Sequence, residues 1–459
     1  MMHPDNKFTW ALSISILLTV TTSAFQHAPH STSLNPRGSL CTTPKTKLGY
    51  SITSSTIDIT EQAPRDINLL YEWAASYGVQ TTPSFELTSN DGGMDVYAIT
   101  NDYLPADSPI VCVPNSLILT GSKCLEEFAR EESASKAERA LKLSDHMPFY
   151  LFLKVMKEWE KGTDSPYYYW LNSLPRYYSN GASMTDFCFS CLPPYAAKQA
   201  QMEKSRLKRF ELALDEIDFL SRDTKSNTGL TKWAYNVVVT RYQEMDGGDY
   251  CLVPMTDYFN HGGEEVDVYI SYDQEGNCYA YTTRDVPAGS PLRISNGDPT
   301  NPSQLLARYG FLDESSSATY CKWIAEEPSS ALFDLGYPYR MWFYQDGSIS
   351  NEVWDVLLYV ELGKMGGQNL QDEFYKACMT GDVATKSNYH NQYFGQTLSA
   401  IQGHVDYILG ELDQLSSWQE MTKTGLAGLH PRLPLIMRHN EFVRATFENV
   451  KQNMASIGY

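Results

Sequence analysis

Several things are scarce in this chain, and each scarcity removes a class of function. Basic residues are outnumbered: 36 Lys and Arg stand against 55 Asp and Glu, a formal charge of −19. A surface of that sign repels phosphate backbones and argues against nucleic acid as a direct partner. A basic protein segment suits it better. The nine cysteines are scattered, and only Cys188 and Cys191 form a CxxC. Without a second pair or nearby histidines this is a poor zinc signal, so no metal is expected. The two thiols read instead as small buried hydrophobes. The apolar run from Trp10 to Val20 is too short to cross a bilayer comfortably, so no stable membrane anchor is expected either. Internal repeats are lacking too.

What is present begins with an address. A short polar start with Lys7, the apolar run, and then Thr22, Ser23 and Ala24 follow the pattern of a signal peptide over residues 1–24. Residues 25–57 are rich in Ser, Thr and Pro, carry Arg37, Lys45 and Lys47, and hold no acidic side chain. That composition is of the transit-peptide type. The pair, with Phe25 just after the expected cleavage point, resembles the bipartite leader of proteins sent to the secondary plastid of diatoms and related algae. The implied destination is the plastid stroma; the alternative is plain secretion into the ER lumen and beyond. Setting aside the four basic and one acidic residues of 1–57 leaves −22 on the rest.

From residue 58 onward the pattern is globular, with 42% hydrophobic and 20% charged residues overall. INLLYEWAASYGV has helical apolar spacing that stops at Gly78. Short strand-like runs, broken by Asp-Gly-Gly and Pro, occupy about 83–120. Residues 122–228 read as helical and charged, and WAYNVVVTR as a buried helix. Strands resume over 251–295, and the chain is helical after about 325. The expected class is α+β: small sheets interrupted by a helical insert, then an all-helical C-terminal domain over 326–459.

The chemistry lies in three segments, VPMTDYFNH, VPAGSPLRISNGDPTN and LLARYGFLDE. In this order they resemble the SET domain of protein methyltransferases, in the subgroup similar to Rubisco large-subunit lysine methyltransferase and actin-histidine methyltransferase. WAASYG, DGGMDVYA, VPNSLILT, PYYYWLNSLP and WAYNVVVTR resemble the upstream parts. The likeness covers most of residues 68–450 and is strong over 251–313. It implies a SET domain over 68–325 with a pseudoknot, S-adenosylmethionine as cofactor, a lysine-bearing protein segment as substrate, and a monomer. Cofactor contacts are implied for Gly92, Gly93, Arg241, Asn260 and His261, with Asp257 orienting the Asn-His turn. Tyr309 would line the meeting point of cofactor and substrate channels, and Phe311 would be core.

Two positions depart from the family. With Ile294, Gly297 and Asn301 holding the register, Asn296 stands where the catalytic tyrosine is expected. Its amide still donates and accepts hydrogen bonds, but losing a preorganised group at a reaction centre costs on the order of 10²–10³ in rate. On the Gly-rich turn, Asp95 would sit unfavourably near the cofactor carboxylate. The leading expectation is a plastid protein-lysine N-methyltransferase. The alternatives are a catalytically impaired SET-fold module that binds a peptide or S-adenosylmethionine, and a protein-histidine methyltransferase.

Overall fold

The computed structural model describes residues 55–457 apart from 129, 246, 264–265, 296–301, 317, 321–328, 338–339, 367 and 423–429. Its first helix, Leu70–Ser76, buries Leu70, Trp73 and Ala74, and stops before Gly78, which takes the left-handed φ of +85° that ends helices.

The strands are short. Phe85–Thr88 buries alternate residues, as a half-covered strand should, and pairs antiparallel with Tyr97–Thr100. A four-stranded antiparallel sheet runs in the order Gln80–Thr81, Pro109–Val113, Cys278–Thr282, Val268–Tyr272. Leu119–Thr120, Tyr250–Leu252 and Gln243–Glu244 make a second sheet. Strands from before and after the helical stretch therefore share sheets, so that stretch is an excursion from one β framework. Inside it, His146–Glu160, Pro194–Asp215 and Thr228–Arg241 pack by aromatic edges. The Phe210 ring lies 5.4 Å from both Phe149 and Phe152 and 5.1 Å from Tyr235. Such edge-to-face contacts give the insert a unique packing as well as buried area.

The C-terminal region is helical, as the apolar spacing predicts, with Asn351–Lys364, Phe394–Thr422 and Leu433–Ile457 among its helices. One element departs from that expectation: Trp342–Tyr344 is a strand, paired with Ala318–Tyr320. The cause is local. Gly347 at φ +83° turns the chain, Gly347 N–H donates to the Tyr344 carbonyl, and Phe343 bridges to Ile349. Phe343 is fully buried against Phe447, with ring centroids 4.8 Å apart.

Two large apolar cores result, one under the sheets and insert and one among the C-terminal helices. A third cluster joins the two parts: Met184, Cys188 and Cys191 of the insert meet Leu306 and Ala307, then Leu433 and Ile436. Both thiols of the CxxC are buried in it. Arg432 adds a polar tie, donating through Nη2 to Glu61 at 2.7 Å and through Nε to the Tyr178 carbonyl at 2.8 Å. Among the described residues no helix is long and apolar enough to cross a membrane.

Candidate functional site

The site is built around the two-residue strand Asn260–His261. It pairs in parallel with Arg293–Ile294, with Asn260 opposite Arg293 and His261 opposite Ile294. Gly262 N–H extends the ladder to the Ile294 carbonyl at 2.8 Å. Parallel pairing requires a long crossover, here the hairpin Val268–Thr282 and the chain after it, so the pairing is not local in sequence.

Behind this strand stands an ion pair. Arg241 ends the helix Thr228–Arg241, and its Nη1 donates to the Asp257 carbonyl and, at 3.2 Å, to Asp257 Oδ2. Trp170 Nε1 donates to the same oxygen at 3.1 Å. The Asp257 side chain is 1% exposed and that of Arg241 11%. Burial pushes the Asp257 carboxyl above the usual carboxylate range, and the Arg241 guanidinium opposes that rise. The pair ties helix, loop and Asn-His strand together. Met255, at φ +74°, marks the sharp bend just before Thr256–Tyr258.

His261 faces the segment after the helix Pro302–Tyr309. Its ring is 5.3 Å from Phe311, and Nε2 is 3.7 Å from Asp313 Oδ2. Burial pulls the imidazole below its ordinary value, with Asp313 acting against it, so the ring is neutral at and above pH 7. Gly310 enables the approach. Its φ is +84°, and a Cβ there would lie 2.7 Å from the Asn180 backbone nitrogen and 2.8 Å from the Ser179 carbonyl carbon. Tyr309 stacks at a tilt on Phe311, centroids 6.0 Å apart, and burial raises its phenol above the ordinary value.

Beside this segment opens a cavity of about 630 Å³ walled by Tyr242, Tyr250, Tyr269, Tyr272, Arg308 and Tyr309, with Ile270, Ile294 and Glu244. Tyr269, 41% exposed and stacked 5.4 Å from Tyr281, lies on its open side. Arg308 donates to the Tyr242 hydroxyl and sits 5.2 Å and 5.7 Å from the Tyr242 and Tyr309 ring centroids.

On the other side of Asn260 is the Gly-rich turn. Gly92 and Gly93 take φ of +77° and +95°, a conformation that favours glycine, and open space surrounds both. Ser89 Oγ accepts from Gly93 N–H and Asp91 Oδ1 from Asp95 N–H, each at 2.8 Å, which fixes the turn. Asp95 sits beside Asn260, whose side chain hydrogen-bonds to its carboxylate.

The structure thus brings Arg241, Asp257, Asn260 and His261 together, sets Tyr309 beyond His261, and sets the turn of Gly92 and Gly93 near Asn260 through Asp95. Asn296, Gly297 and Asn301 lie outside the described residues. Sequence reasoning missed Trp170, Arg65, Arg308 and the tyrosines of the cavity wall other than Tyr309. Trp170 and Arg308 stand inside PYYYWLNSLP and LLARYGFLDE without having been singled out, Arg65 stands in no motif, and the aromatic excess, 31 Tyr among 459 residues, was a signal that tyrosine lines something. Among the described residues no group of three metal-ligating side chains occurs.

This arrangement, a split β framework with a helical insert, a parallel Asn-His pairing and a Tyr-Gly-Phe segment packed against it, is the SET-domain fold with a helical C-terminal region. Solved structures agree. The chain is similar to Rubisco LSMT bound to AdoMet, with TM-score 0.61 and 15% identity, over 84% of this chain and 91% of that one. It is similar to the SET domain of LSMT bound to lysine and AdoHcy, with TM-score 0.60 and 14% identity, over 84% and 90%. A third structure, Rubisco LSMT with sinefungin and monomethyllysine, matches at TM-score 0.60 and 15% identity over 84% and 91%. No family model matches the sequence, and no curated protein does.

Proposed function

We propose that this chain is an S-adenosylmethionine-dependent protein-lysine N-methyltransferase that works in the plastid. The observation that carries the proposal is the meeting of two sets of groups at Asn260–His261. On one side are the glycine turn and the buried Arg241–Asp257 pair, and on the other is the tyrosine-walled cavity that reaches Tyr309. Of the neighbours above, one is bound to AdoMet and two carry AdoHcy or sinefungin together with lysine or monomethyllysine, which supports one ligand of each kind here.

The residues fit such a cofactor. Arg241 Nε and Arg65 Nη2 are buried without a hydrogen-bond partner among the described residues, and both suit a carboxylate. Asn260 offers donor and acceptor for an amino-acid group, and a turn with no side chains at Gly92 and Gly93 leaves room beside it. When bound, the cofactor supplies an electrophilic methyl on sulfonium. The protein's part is alignment and exclusion of water.

An acceptor lysine must enter as the free amine. From a pKa near 10.4, deprotonation at about pH 8 costs about 3 kcal/mol. The cavity contributes to this step. Arg308 places a cation on its wall, which disfavours an ammonium and lowers the pKa of an amine lodged there, while Glu244 on the same wall acts the other way, weakened by water because that residue is exposed. Tyrosine faces pack the aliphatic stem, and their hydroxyls accept or donate to the nitrogen.

The test is incubation of the purified protein with methyl-labelled S-adenosylmethionine and plastid extract beside the Asn296→Tyr variant. A discrete labelled band bearing methyllysine supports the proposal. Labelling by the tyrosine variant alone identifies a SET-fold module that has lost turnover. Label on histidine moves the acceptor class to imidazole. Residues 1–57 fused to a fluorescent protein test the plastid address.

A further inference from the structure

The outer face of the four-stranded sheet carries aromatic side chains that the core does not use. Strand alternation sends Cys278, Ala280 and Thr282 inward and leaves Tyr279 and Tyr281 half-buried on the outside. Across the ladder Tyr281 faces Tyr269. The rings of Tyr269 and Tyr281 stack 5.4 Å apart and those of Tyr281 and Tyr279 6.2 Å apart, each pair tilted by 21°. Together they form a shelf of three ring faces. It begins at the cavity, because Tyr269 also stands on the cavity wall. Carboxylates flank it at both ends. Exposed Asp107 is the charged neighbour of Tyr269, and Asp285 accepts from the adjacent Ala106 N–H at 2.9 Å. At the other end Asp273 accepts from the Tyr279 hydroxyl at 3.3 Å, and Glu275 stands on the same turn. The cations of this region are already engaged, Arg284 with Asp267 at 2.7 Å and Lys123 with the Asn115 carbonyl at 2.7 Å.

A stacked cross-strand pair stabilises a hairpin without help, but it does not call for carboxylates at both ends. Ring faces bounded by carboxylates suit a guanidinium or an ammonium. We propose that this shelf docks a basic flank of the acceptor protein: an arginine or lysine near the methyl-accepting residue lies on the faces of Tyr281 and Tyr279, between Asp107 and Asp273. The inference rests on the methyltransferase reading and deepens it by naming the acceptor class, a segment with a second cationic side chain close to the acceptor residue. The reach fits. An extended chain advances about 3.3 Å per residue, so rings 5.4 Å and then a further 6.2 Å beyond Tyr269 meet side chains about two to four residues from the acceptor. The excess of acidic over basic residues in the chain works in the same direction, since it attracts a basic segment.

The experiment is fluorescence polarisation of the full chain, saturated with S-adenosylhomocysteine, against labelled short peptides. Each has a central lysine among glycines and serines, with one arginine at a single flank position or none. Arginine two to four residues to one side of the lysine is expected to tighten binding about threefold to tenfold, the range of an exposed cation–π contact joined by a carboxylate. Citrulline in its place should remove the gain. The double variant Tyr279→Ser/Tyr281→Ser and, separately, Asp107→Asn should reduce the gain and leave the arginine-free peptide unchanged. Asp107 is exposed, and asparagine tolerates its φ of +59°, so this variant carries the test if the double variant melts early. No gain at any position, or a gain that survives in Asp107→Asn, would overturn the shelf. Equal weakening of both kinds of peptide in that variant would overturn it as well. If no peptide binds, the shelf falls too, while label transfer in the plastid extract decides the methyltransferase reading on its own.

Discussion

At the scale of single residues, the site separates groups that hold the fold from groups that face a ligand. Asp257 belongs to the first kind. Replacing it with alanine strands the Arg241 guanidinium in a buried position, which costs about 3–5 kcal/mol. A large fall in denaturant midpoint is expected for Asp257→Ala, while Asn260→Ala should lower affinity for S-adenosylhomocysteine with little change in that midpoint. Arg308 belongs to the second kind. If the cavity takes an acceptor amine as proposed, the positive charge on its wall depresses the pKa of that amine, so Arg308→Gln should move the rising limb of the kcat–pH profile to higher pH. The profile is measured with whichever acceptor the labelling experiment identifies; a limb that stays in place would remove Arg308 from the chemistry. Asp257, Asn260, His261 and Arg241 were legible from order along the chain, because one helix end and one short turn-and-strand segment carry all four. Arg65 was not, since it reaches the site from far away in sequence and carries no pattern of its own, and the PYYYWLNSLP segment did not single out its Trp170 as a partner of Asp257.

Elements show the same division. Gly310 lets the Tyr309–Phe311 segment pass against the Ser179–Asn180 backbone with a left-handed φ that only glycine takes cheaply. Gly310→Ala is expected to cost at least about 1–3 kcal/mol from the backbone alone, before the clash with Asn180 is counted, and to shift His261 and Phe311 resonances together. Helix Phe394–Thr422 carries a different sensitivity. His404 on it is 5% exposed, has neither ring nitrogen hydrogen-bonded among the described residues, and is pulled down by burial to about 4. Above about pH 6.5 both folded and unfolded chains keep this ring neutral, and it contributes no pH dependence. As pH falls from 6.5 toward 4 the unfolded chain takes up a proton that the folded one refuses, so stability declines, by about 2 kcal/mol at pH 5. His439, also lowered to about 4 by burial, adds a similar decline. Denaturation of His404→Leu at pH 8 and pH 5 should show a smaller difference than in the natural protein. Helical spacing announced these helices. It did not announce the Trp342–Tyr344 strand, which exists because the Gly347 turn folds it into the C-terminal core.

For the whole molecule, the question is how two cores act as one body. Leu306 lies on the helix that leads into Tyr309, and it is buried against insert residues Met184 and Cys188 and against Ile436 of the last helix. Truncating it opens a cavity in the only cluster described that contains residues from all three regions. Leu306→Ala should cost about 2–5 kcal/mol and lower protection from proteolysis in the insert and the C-terminal helices together. Loss confined to one of them would mean that the parts fold independently. The Arg432–Glu61 contact works in the same direction, tying the last helix to the segment before the first.

By itself the sequence determined the α+β class, the ordering of sheets around a helical stretch, and the Asn260–His261 and Tyr309–Phe311 segments, because periodicity and short ordered motifs are local properties of a chain. Only the tertiary structure decided that Asn260 pairs with Arg293, that Arg65 and Arg241 converge on one tyrosine ring, and that Arg308 enters a tyrosine-walled cavity. Those are contacts between residues tens to hundreds of positions apart. Their partners are selected by packing and charge in three dimensions, and spacing along the chain does not encode them.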